Sequence, residues 1–173
     1  MEVDNVPQQP HKPGCPAKHR WKREMEKRLK NNEDVYKWSK ETVQALRAGN
    51  FAAINMDELI DEVESIAGGY EQEMLSLLKD IIEARLVLTY VKPDSEEAIR
   101  SLVAAHGHLQ LLCSTVPSLR AAMTDAVIDE AYQWAKSYVT EDYGVTLSDR
   151  CPFPLDLILE DPYPRLAAEG RVA

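Results

Sequence analysis

The chain has 173 residues, 45% of them hydrophobic and 28% charged, with a net charge of −9. That apolar share excludes global disorder and suits one core of ordinary size. The charge is uneven: residues 17–30 carry seven Lys or Arg against Glu24 and Glu26, while residues 31–173 carry 12 bases against 25 acids, so the body repels nucleic acid and anionic membrane.

Residues 1–16 hold Pro7, Pro10, Pro13 and Pro16 among polar residues, which reads as an extended leader. Ala17–Lys30 follows, basic, with Trp21, Met25 and Leu29 at four-residue spacing; this predicts a short amphipathic helix. Asp34 is placed to cap a helix over Val35–Ala48, with Tyr36, Trp38, Val43 and Leu46 facing inward and Gly49 as the stop. Asn55 is placed to cap the longest helix, from Met56 towards Tyr90, with Leu59, Val63, Ile66, Tyr70, Met74, Leu77, Ile81 and Leu88 at helical period. Gly68 and Gly69 interrupt that run, each costing roughly 1 kcal/mol relative to Ala, and a kink or a close helix crossing would account for them.

Pro93 ends this helix, and Asp94 or Ser95 caps the next, whose stripe is Ile99, Leu102, Val103, His106, Leu109, Leu112, Cys113 and Val116. Pro117 breaks the chain and Ser118 restarts it, with Leu119, Met123, Val127, Ala131, Trp134 and Tyr138 as the next stripe and Gly144 as its stop. Cys151-Pro152-Phe153-Pro154 leads to one or two turns from Leu155 to Leu159 and further prolines. No segment alternates like a strand. The expected fold is all-α: an antiparallel bundle of four to six helices, with one long central helix and a proline-rich C-terminal segment. The expected organisation is a leader with a basic helix over 1–33, a bundle over 34–162 and a tail over 163–173.

Residues able to carry chemistry are sparse. Carboxylates four apart, such as Asp57 with Asp61 or Glu58 with Glu62, share a helix face and have the chemistry for a divalent ion. A helix N-terminus attracts the same residues through its dipole, and that is the preferred account. Two-residue spacing turns His106 and His108 about 200° apart, so they cannot share a ligand. His106 falls on the apolar stripe, where a satisfied core histidine is expected. Cys113 sits about 10 Å along the axis from His106, too far for a thiol–base pair. His11, Cys15 and His19 lack the spacing of a zinc site. No metal site is therefore assigned; Asp57, Asp61, Glu62 and His106 are the residues of suitable type. No phosphate loop, dinucleotide fingerprint, nucleophile elbow or zinc-protease motif is present, and no catalytic residue or cofactor is assigned.

Three cysteines, Cys15, Cys113 and Cys151, do not form a secreted disulfide framework, Met1–Gly14 lacks the apolar stretch of a signal peptide, and no run spans a bilayer. The cytoplasm is the expected location.

Four ordered segments resemble a bacterial family catalogued as domain of unknown function twenty-nine. They are Tyr36-x-Trp38 with Leu46-Arg47-x-Gly49-x-Phe51; Leu59-Ile60-Asp61-Glu62-Val63-Glu64; Val116-Pro117-Ser118-Leu119; and Cys151-Pro152-Phe153 with Leu155, Ile158, Leu159 and Asp161. The resemblance covers about residues 34–162 and implies an all-helical bundle with no established activity. Where that family often carries His-Leu-Leu-Lys-Trp, this chain has Arg85-Leu86-Val87-Leu88-Thr89.

The expected role is a non-enzymatic module for protein–protein contact or self-association, as in a homodimer, through Met74, Leu78, Ile82 and Leu86 on the broad apolar face at 74–88. One alternative is a nucleic-acid-associated regulator acting through the basic arm Lys18–Lys30, although those bases also suit packing on the acidic body. Another is a metal-dependent enzyme using the acidic cluster at 57–64.

Overall fold

In a computed structural model, residues 34–162, 166 and 168–170 are described. The expected basic helix Ala17–Lys30 lies outside them. Every described regular element is helical, and the chain falls into two compact units, Met1–Ile60 and Asp61–Ala173.

In the first unit, α1 spans Val35–Arg47. Asp34 caps it, its Oδ1 accepting from the Lys37 amide at 2.9 Å. Gly49 adopts φ +68°, and the Gly49 and Asn50 amides turn back to the Leu46 and Ala45 carbonyls. This pairing satisfies the last free carbonyls of the helix. The covered face matches the expected one only at Trp38. Trp38 is half-buried and Thr42 buried, whereas Tyr36, Val43 and Leu46 are exposed. Trp38, Thr42 and Ala45 share one face at about 100° per residue, so two of its three members are too small or too polar to mark it by hydrophobicity.

The long helix α2 spans Met56–Leu86. Asn55 caps it through Oδ1, which accepts from the Glu58 amide at 3.3 Å. The helix runs unbroken through Gly68 and Gly69, and a Cβ added at either would meet nothing within 4 Å. Among the described residues no neighbouring helix crosses closely there, which corrects that expectation. Towards its C-terminus α2 closes in a π-helical turn, Val87–Val91, where the Lys92 amide reaches the Val87 carbonyl at 2.8 Å.

Ser95 caps α3, Glu96–Thr115, by accepting from the Ala98 amide at 3.3 Å. A 3-10 stretch, Pro117–Ala122, connects to α4, Asp125–Tyr143, which ends at Gly144 with φ +66°. The short α5, Leu155–Leu159, follows Pro154. Tyr132, Ala135 and Val139 prove more buried than the expected Val127, Trp134 and Tyr138. The stripe drawn through Met123 crosses a 3-10 segment with about three residues per turn, so its phase does not carry into α4.

The core of the second unit joins Met74–Leu86 of α2, Ile99, Leu102 and Leu109 of α3, Tyr132 and Val139 of α4, and Ile158 of α5. The segment after α4 is held against it by named bonds. The Tyr132 hydroxyl donates to the Ser148 carbonyl, the Gln133 amide donates to the Asp149 carbonyl at 2.9 Å, and Lys136 Nζ pairs with the Asp149 carboxylate at 2.9 Å. His106 Nε2 donates to the Leu159 carbonyl at 2.8 Å, tying α5 to α3.

Candidate interaction surface and cleft

Within the second unit, α2 changes character along its length. From Met74 onward Met74, Leu78, Ile81, Ile82 and Leu86 are at most 1% exposed. The preceding turns carry Val63 at 59%, Ile66 at 61% and Tyr70 at 38% exposure. At about 100° per residue, Val63, Ile66 and Tyr70 lie within about 60° of one another, and Met74, Leu78 and Ile81 continue the same face. One apolar stripe is thus enclosed at one end and open at the other.

Carboxylates border the open stretch. Glu62 and Glu73 fall on one side of Val63, and Glu64 and Glu71 on the other, each about 80–100° away. No Lys or Arg occurs from residue 61 to residue 78. The first base is Lys79, which is engaged: its Nζ lies 2.8 Å from Asp80, 3.0 Å from Glu83 and 4.7 Å from the centre of the Tyr138 ring. Burial pulls the Lys79 pKa down, but the hydrogen bond to Asp80 and the charges of Glu83 and Asp80 outweigh it and raise the ammonium above its ordinary value.

A cleft of about 290 Å³ lies in the same unit. Arg85 from the end of α2, Leu88 and Thr89 from the π turn, Leu102 from α3, Phe153 and Leu157, and Glu160, Asp161 and Glu169 line it. Arg85 Nη2 donates to the Glu160 carbonyl over a long 3.5 Å. Cys151 lies in the loop that precedes α5; burial, with the charge of Asp129, holds its thiol above the ordinary value although it donates to the Phe153 carbonyl at 3.5 Å. A thiol so held is not activated as a nucleophile.

Several expected site residues fall elsewhere than their types suggested. Met74, Leu78, Ile82 and Leu86, expected to meet a partner, are enclosed in the chain's own core, so as folded they offer no surface. Their apolar character is the same as that of Val63 and Ile66; only the surrounding helices distinguish them. His106 is 3% exposed and bonded to Leu159, as a core histidine is. Asp57 and Asp61 are exposed on α2, and Glu62 is half-buried. Among the described residues no three His, Cys, Asp or Glu side chains gather as metal ligands do. The basic arm Lys18–Lys30 lies outside the described residues.

Sequence reasoning did not find the bond from Trp38 Nε1 to Glu58 Oε2 at 2.9 Å, which ties α1 to the first turns of α2 and gives one member of the acidic cluster a structural task. The two residues stand 20 positions apart, and no local periodicity links them. The cleft was equally invisible, because its walls come from four separated stretches of chain.

Among the described residues every regular element is helical, the second unit carries an acid-bordered apolar face, and no helix is long and apolar enough to cross a membrane. Over residues 31–164 the chain matches the family model of Domain of unknown function DUF29, and it belongs to that family. No curated protein and no solved structure matches the chain.

Proposed function

We propose that the chain is a cytoplasmic helical module whose task is to bind another protein, without catalysis of its own. The observation that carries this reading is the open stretch of α2, where Val63 and Ile66 are each about three-fifths exposed on the face that Met74, Leu78 and Ile81 bury further along. An apolar row in water is a standing free-energy cost of about 25 cal/mol per Å², relieved when a partner covers it. The reading moves the expected partner face from Met74–Leu86 to the turns that precede it. Cys113 and Cys151, both free, suit a reducing compartment.

Site-specific photo-crosslinking in cells tests the reading. A photoreactive amino acid replacing Ile66 is expected to give a discrete protein adduct, while the same group replacing Leu111, an isolated residue at 64% exposure, gives none. Absence of an adduct at Ile66, or equal labelling at both positions, overturns it.

A further inference from the structure

We propose that the partner presents a basic amphipathic helix, which lays its apolar seam on Val63, Ile66 and Tyr70 and its Lys or Arg side chains along Glu64 and Glu71. The inference rests on the interaction reading above and names the chemistry of what binds.

Three features point to that occupant. The open row has the spacing of three and four residues that one helix presents to another. Its borders are acidic on both sides: Glu64 and Glu71 are exposed along one, and Glu73 is exposed along the other. The stretch from residue 61 to residue 78 itself contains no Lys or Arg. An apolar seam flanked on both sides by carboxylates selects a helix whose own seam is flanked by cations, because each flank then gains an opposite charge as the apolar surface is covered. A second copy docking through the same face would bring like-charged borders together, at a cost of the same origin. Nucleic acid and anionic lipid are repelled for that reason as well.

The test uses the full-length protein and a fluorescent model peptide of Leu and Lys in an amphipathic helical pattern, with a Leu/Glu peptide of the same pattern as its counterpart. Anisotropy is expected to report binding of the Leu/Lys peptide only, weakening as salt rises from about 50 mM to about 300 mM. The double substitution Glu64→Lys with Glu71→Lys is expected to lower affinity about tenfold, or about 1.4 kcal/mol. The control pair Glu96→Lys with Glu97→Lys, on exposed positions of α3, leaves it within about twofold. Helical dichroism and melting temperature verify that each variant is folded.

Equal binding of the two peptides, or equal losses in the two charge-reversed proteins, overturns the proposal, since attraction would then be non-selective or unrelated to this face. A concentration-dependent dimer in sedimentation that shields the residue-66 crosslinker also overturns it in favour of a second copy. If the Ile66 adduct forms but the charge reversals change nothing, the interaction reading stands and the basic partner falls. If no adduct forms, the interaction reading itself has failed.

Discussion

The two stretches of α2 within the second unit, residues 61–73 and residues 74–86, obey one hydrophobic period and have opposite fates. Met74, Leu78 and Ile81 meet α3, α4 and α5 in a shared core, while Val63 and Ile66 stay open to solvent. Periodicity identifies which face of a helix is apolar; whether that face is covered depends on where the other helices end. A row left open can therefore look identical, in sequence, to a row that is closed.

The comparison is broken most severely by truncating both rows. Leu78→Ala or Ile82→Ala is expected to cost about 2–5 kcal/mol in urea unfolding, because each removes a fully enclosed side chain and leaves a cavity. Ile66→Ala is expected to change stability by no more than about 0.5 kcal/mol. Equal losses at positions 66 and 78 would erase the distinction between the two stretches.

Smaller effects sharpen it. Tyr132→Phe removes the hydroxyl that donates to the Ser148 carbonyl and is expected to cost about 1–3 kcal/mol, with faster amide exchange in residues 145–151. Gly68→Ala and Gly69→Ala lie on the open stretch with nothing within 4 Å of the added methyl, and each is expected to stabilise by up to about 1 kcal/mol in thermal melts.

The smallest effect is a pH dependence at Lys79, within the enclosed stretch. Since the folded-state pKa of Lys79 is raised above its unfolded value, its contribution is fully present below the unfolded value and is lost as pH rises through the folded one. Urea midpoints of the wild type and of Lys79→Met are thus expected to differ most near neutral pH and to converge in strong alkali. Divergence at high pH would contradict the ion-pair geometry.

The all-helical fold, the caps at Asp34 and Asn55, a third cap narrowed to Asp94 or Ser95, and the stops at Gly49 and Gly144 were legible in the sequence because each is a local device within a few residues of its helix. The faces were less so. Trp38, Thr42 and Ala45 form a contact face that hydropathy does not mark, and the 3-10 stretch at Pro117–Ala122 shifts the phase that α4 was expected to inherit. The candidate surface was visible only as part of a longer stripe, and its location needed the burial of Met74–Leu86 to be known. The cleft needed three-dimensional structure outright, since Arg85 and Phe153 meet only after folding.

The π turn at Val87–Val91 accommodates one residue more than an α turn would, and the Lys92 amide closes it on the Val87 carbonyl. Removing a single residue from it would restore α pitch and swing the departing chain by about 100°. Length at this position is therefore constrained more tightly than residue identity: a one-residue deletion would misdirect Pro93 and the start of α3, where an ordinary side-chain exchange at exposed Tyr90 would leave the path intact.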